Sequence, residues 1–120
     1  MHTFTNVVIG FVALLHAYFL VLEMFFWTKP RGLKVFGQSL EVAKTSAVLA
    51  ANQGLYNGFL SAGLIWGLLH PSPEVALQIH VFFLSCIVVA GVYGGWSVHK
   101  KILLVQAGPA VFALVLLAIK

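Results

Sequence analysis

The sequence predicts an all-α fold of four membrane-crossing helices, and three observations carry it: four long apolar runs, very little charge, and a lopsided placement of that charge. The runs cover residues 7–27, 45–69, 75–96 and 102–119, each near the roughly 17–25 residues that cross about 30 Å of hydrocarbon. Of the 120 residues, 61% are hydrophobic and 8% charged, with mean hydropathy +1.00; soluble domains carry about 25% charged residues. Spans at about 5–27, 42–69, 73–97 and 102–119 would use nearly the whole chain, so a single membrane domain over residues 1–120 is expected.

The first run is preceded by no basic stretch and followed by no small-residue cleavage site, so it is expected to stay as a span rather than be removed as a secretion signal. Lys29, Arg31, Lys34 and Lys44 fall in the first connection and Lys100 and Lys101 in the third, with only Lys120 and the N-terminal amine on the other side. Under the positive-inside rule the first and third loops face the cytoplasm and both termini face outward. Trp27 and Trp96 fall at cytoplasmic span ends, where amphipathic rings sit at headgroup level.

The first loop is the only connection long enough to hold structure of its own. Lys29-Pro30-Arg31-Gly32 reads as turn chemistry, since proline fixes φ and glycine tolerates positive φ. Leu33, Phe36, Leu40 and Ala43 then recur at helical spacing among Lys34, Gln38, Glu41 and Lys44, which predicts a short interfacial helix running into span two. Ser39 is placed to cap a helix starting near Leu40. In the second loop, His70-Pro71-Ser72-Pro73-Glu74, Ser72 caps, Pro73 takes the first helical position and Glu74 complements the helix dipole. His70 and His99 read as solvated interfacial histidines, and Gly108-Pro109 predicts a kink in span four.

Close helix packing in lipid relies on small residues. Span two has Ala50, Gly54, Gly58 and Ala62 every fourth position, and span three has Gly91 and Gly95. These stripes join helices within one bundle or, through Gly54, Gly58, Gly91 and Gly95, between copies in a homo-oligomer.

Glu23 is the only carboxylate inside an apolar run, where a charge near a helix centre costs roughly 2.5–3.5 kcal/mol. His16 lies seven residues away, within about 20° of the same helix face. Gln53, Asn57 and Ser61 form a polar stripe on span two, with Asn52 on a different face. Counting about 1.5 Å per residue from the cytoplasmic ends gives two polar layers. Glu23, Gln106, Tyr93 and one of Asn52 or Gln53 form the lower, and His16 with Asn57, joined by Cys86, forms the upper. His80 reads as structural and Cys86 as a small buried hydrophobe.

Several chemistries are set aside. The basic residues sit at helix ends and form no extended face, which argues against nucleic acid. No metal site and no cofactor is expected, because His16 and Glu23 are two turns apart, whereas helical metal ligands sit at i and i+4. No phosphate-cradling glycine loop, CxxC pair or oriented nucleophile is present.

The segments Leu22-Glu23-Met24-Phe25-Phe26-Trp27-Thr28-Lys29-Pro30-Arg31-Gly32, Phe36-Gly37 and Ala51-Asn52-Gln53-Gly54-Leu55-Tyr56-Asn57-Gly58-Phe59-Leu60 resemble a family of small bacterial membrane proteins. That family has four predicted spans, carries a domain of unknown function and is sometimes labelled as epimerases; the resemblance implies the bundle and no established activity. No nucleotide-sugar or cofactor motif accompanies the epimerase label. Small multidrug-resistance transporters are similar in size and keep a proton-coupled glutamate in span one, although Glu23 lies nearer one end of its span. The membrane-associated eicosanoid and glutathione metabolism enzymes also have four spans, with a Glu-Arg pair that is Glu41-Val42 here.

The expected function is binding, or proton-coupled transport, of a small amphipathic or cationic ligand at a polar cluster around Glu23. Asn52, Gln53, Asn57 and Gln106 would orient the ligand and His16 would extend the path. One alternative is a membrane-embedded enzyme acting on a lipid-like substrate, with Glu23 as base and Tyr93 or Tyr56 as acid. The other is a structural role in which Glu23 only bonds helices together.

Overall fold

The structure is a computed structural model that describes residues 2–97 and 100–119. Every element among the described residues is helical. Helix α1 is His2–Phe25, α2 Pro30–Phe36, α3 Leu40–Leu69, α4 Pro73–Ser97 and α5 Lys100–Ile102, followed by a π-helical turn, Leu103–Ala107, and α6, Gly108–Ala118. Two of these helices, over Thr3–Phe25 and Pro73–Ser97, are long and apolar enough to cross a membrane. The stretch Leu103–Ala118 is apolar but shorter, and in α3 the side chains of Asn52, Gln53 and Asn57 lower the hydropathy.

Local chemistry sets the helix ends. The Ser39 hydroxyl accepts from the Val42 amide at 3.2 Å and starts α3 at Leu40. Ser72 accepts from Val75 at 3.3 Å, with Pro73 at the first position of α4. The short helix expected between the first two long ones is present, but it does not run on into α3. It begins at Pro30 and stops at Phe36, because Gly37 takes a left-handed conformation, φ 61°, and the Gln38 amide turns back to the Leu33 carbonyl at 3.2 Å.

The kink expected at Gly108-Pro109 takes the form of a change in helix type. Pro109 has no N–H to offer the preceding turn, and the chain widens into the π-helical turn just before it. His99 lies outside the described residues.

The chain divides into two compact units, Leu14–Ser61 and Met1–Ala13 with Ala62–Lys120. In the first, contacts run in opposite directions along α1 and α3. A methyl on Gly58 would meet Leu20 at 2.6 Å, one on Gly54 would meet Met24 at 2.8 Å, and Trp27 Nε1 donates to Ser46 Oγ at 3.1 Å. The two helices are therefore antiparallel and closely packed. Helix α2 folds back on the end of α1: Gly32 is buried against the Phe26 carbonyl, and the Trp27 ring meets Phe36 at a tilt of 50° with centroids 4.9 Å apart.

In the second unit α4 packs on the π-helical turn through its glycines. A methyl on Gly91 would lie 2.8 Å from Ala107, and one on Gly95 would lie 2.5 Å from Leu103. Ile79, Leu84, Ile87, Ala110, Ala113 and Leu116 complete the core. Gly54, Gly58, Gly91 and Gly95 are thus all occupied by neighbours in their own chain. His80 is buried and its Nε2 lies 3.2 Å from the Leu64 carbonyl, in space that Gly67 leaves open. It is a core histidine, as its sequence position suggests.

Gly32→Ala would drive a methyl into the Phe26 carbonyl and is expected to destabilise the purified protein by about 1–3 kcal/mol. Gly10→Ala, where nothing lies within 4 Å, is expected to be neutral or to stabilise by up to about 1 kcal/mol. Thermal unfolding midpoints of the two variants check both.

Candidate functional site

Glu23 is 2% exposed on α1. Both of its carboxylate oxygens accept hydrogen bonds from α3: Gln53 Nε2 donates to Oε2 at 2.6 Å and Asn57 Nδ2 donates to Oε1 at 2.5 Å. The two amides stand four residues apart, one above the other on a single helix face, and the carboxylate bridges them. Gly54 makes this possible. A methyl there would sit 3.0 Å from Glu23 Cβ and 3.3 Å from the Leu20 carbonyl, so only glycine lets α1 come close enough for a glutamate to reach both amides.

The remaining expected site residues are placed as follows. His16 is fully buried on α1 and meets Phe19 edge-on, with ring centroids 5.6 Å apart. Asn52 is exposed, one position off the Gln53–Asn57 face. Tyr93 and Gln106 belong to the other compact unit, where Tyr93 is exposed on α4 and Gln106 lies in the π-helical turn. Tyr56 is exposed, and its ring lies at a tilt to Phe59 with centroids 5.8 Å apart. Ser61, next on the polar stripe after Asn57, is buried.

One part of the layering is corrected by the geometry. Depth counting puts Asn57 level with His16 and well above Glu23, yet Asn57 bonds to Glu23. The count follows backbone positions, while helical side chains lean towards the N-terminus of their own helix. In antiparallel helices Glu23 leans away from the first loop and Asn57 leans towards it, so the two meet between their backbone levels.

Arg31 turns away from the carboxylate: its Nε donates to the Tyr18 hydroxyl at 2.9 Å, and its guanidinium carbon lies 5.9 Å from the centre of that ring. Among the described residues no cation pairs with Glu23. The Tyr18–Arg31 pair went unread because the residues are thirteen apart across a turn, a distance at which helical periodicity carries no information.

The site is therefore a buried carboxylate held by two neutral amides, with Gln53 at its exposed edge. Amides suit a carboxyl group in either protonation state. Each donates N–H to the anion and, turned over, offers its carbonyl oxygen to the acid.

Asn57→Ala, which removes the more deeply buried donor, is expected to cost about 1.5–3 kcal/mol, and Gln53→Ala, at the exposed edge, less. In a double-mutant cycle of Glu23→Gln with Asn57→Ala, measured by thermal or denaturant unfolding, a coupling energy of at least about 0.5 kcal/mol is expected.

These residues fall within a stretch that is matched elsewhere. A family model described as a protein of unknown function, DUF1304, matches residues 10–118. The uncharacterized protein YpaA of Lactococcus lactis subsp. lactis (strain IL1403) is similar to this chain, 36% identical over 106 residues that cover 87% of each protein. No solved structure matches. With a family model spanning nearly its whole length and a relative 36% identical over 87% of both chains, the chain belongs to the DUF1304 family.

Proposed function

We propose that this protein is an integral membrane protein of four spans in the bacterial plasma membrane, and that Glu23 with Gln53 and Asn57 binds a proton in exchange for a small cationic or amphipathic ligand. Exposure of apolar surface supports the first part. In the two long apolar helices only 33% and 28% of the most apolar stretch is buried, whereas the core helix of a soluble protein is mostly covered. Phe25, Leu69, Phe82, Val89 and Leu104 are all exposed, far more apolar surface than a water-soluble chain leaves open. Helix α3, with 30 residues, reaches about 45 Å at 1.5 Å per residue, enough to cross a bilayer despite its polar stripe.

The observation that carries the second part is the buried carboxylate, held by two neutral amides and with no positive partner among the described residues. A glutamate that served only to bond helices would be served as well by glutamine, and one held by lysine or arginine would be locked as an anion. Between two amides the group can give up its proton to make room for a cation and take it back when the cation leaves. Gln53, at the exposed edge, is the side from which either would approach.

The wild-type protein is expected to stay in the membrane after alkaline carbonate washing; release into the soluble fraction would overturn the membrane assignment. In proteoliposomes with an imposed pH gradient, wild type is expected to accumulate the lipophilic cation tetraphenylphosphonium. Glu23→Gln, with helix content and elution volume unchanged, is expected to lose that uptake together with its pH dependence. Uptake that is the same in both proteins would leave Glu23 with a bonding role alone.

A further inference from the structure

We infer that Arg31, Tyr18 and the lysines beside them form a binding site for the phosphate of an anionic phospholipid. The inference rests on the membrane embedding proposed above and is independent of the Glu23 exchange.

On α1, Leu14, Tyr18, Val21 and Phe25 are exposed at spacings of four, three and four, and so form one outward stripe. Tyr18 stands about 10 Å along the helix from Phe25. Arg31 begins beyond the end of α1, yet its Nε reaches the Tyr18 hydroxyl at 2.9 Å, and its guanidinium carbon is 5.9 Å from the ring centre. The cation therefore lies back along an apolar surface instead of extending into water.

With Nε given to Tyr18, the two terminal nitrogens keep four N–H donors in one plane, and among the described residues no carboxylate pairs with them. Glu23 is taken by Gln53 and Asn57.

The support for Arg31 is rigid. Gly32 sits against the Phe26 carbonyl, the Trp27 ring packs at a tilt on Phe36, and the Trp27 indole is bonded to Ser46. Lys34 is exposed one turn further along α2, and Lys29 is exposed at its start. Residues 29–44 hold four basic side chains, Lys29, Arg31, Lys34 and Lys44, and one acidic, Glu41, a balance of +3.

A planar guanidinium fork fits two phosphate oxygens at once, and the apolar stripe beside it fits acyl chains. A phospholipid supplies both, whereas a free phosphate would leave the stripe uncovered. The neighbouring lysines favour a headgroup without an ammonium of its own, as in phosphatidylglycerol, over phosphatidylcholine.

The test is lipid retention by the full chain in detergent, read by native mass spectrometry with phosphatidylglycerol and phosphatidylcholine added in equal amounts. Wild type is expected to keep phosphatidylglycerol in excess. Arg31→Gln is expected to cut that excess about fivefold and Lys34→Gln by a smaller factor. Tyr18→Phe, which keeps the ring and frees Nε, is expected to weaken retention less than Arg31→Gln. Lys100→Gln, in the other compact unit, is expected to change nothing.

Equal retention of the two lipids by wild type, or an excess untouched by Arg31→Gln, would overturn the site. Displacement of the lipid by an equal concentration of inorganic phosphate would overturn the lipid as its occupant. Glu23→Gln is expected to retain phosphatidylglycerol as wild type does, so the exchange reading can fail while this one stands. A protein recovered in the soluble fraction without detergent would remove the embedding on which both rely.

Discussion

The close approach of α1 and α3 at Gly54 and Gly58 is the constraint on which the polar interior of the first compact unit depends. A methyl at either position would push the helices apart and draw the Glu23 carboxylate away from the Gln53 and Asn57 amides that both bond to it. Two hydrogen bonds to a charged group, at about 1.5–3 kcal/mol each, offset part of the several kcal/mol that real proteins lose on taking an ion out of water.

The protein treats its two unusual charges in opposite ways. Glu23 is turned inward and surrounded by neutral donors. Arg31, only eight residues later, is turned outward and laid over a phenol. The turn after α1 and the start of α2 keep them apart: Gly32 fixes α2 against the end of α1, and Trp27, anchored on Ser46 and Phe36, fills the space beside it. Had the two side chains met, both would have been neutralised, and neither would remain available to a ligand.

How much of this was readable from the chain depended on whether the governing interaction was local. The Ser39 and Ser72 caps are set within four residues, and both stand where the sequence places them. The Gln53–Asn57 face follows from helical spacing, and Asn52 lies off it, as the same spacing requires. Gly37 was not recognisable as the end of α2, because apolar periodicity continues through Leu40 and Ala43 and only the backbone angle interrupts it. Counting residues cannot give the depth of Asn57, because side-chain lean depends on which way the neighbouring helix runs. The Arg31 contact with Tyr18 spans a turn between two helices, so no helical spacing points to it.

The π-helical turn before Gly108 bears on how the end of the chain can be read at all. A π turn takes in about one residue more than an α turn, which shifts the angular phase of everything beyond it by roughly 100° relative to an uninterrupted helix. Gln106 and Ala113 are seven apart and would share a face on a regular wheel. Here Ala113 is buried in the core, while Gln106 belongs to the widened turn on the other side of the phase slip. Residues 100–119 thus carry two helical phases, and a one-residue deletion between Leu103 and Ala107 would merge them, rotating the upstream residues out of register with Gly91 and Gly95.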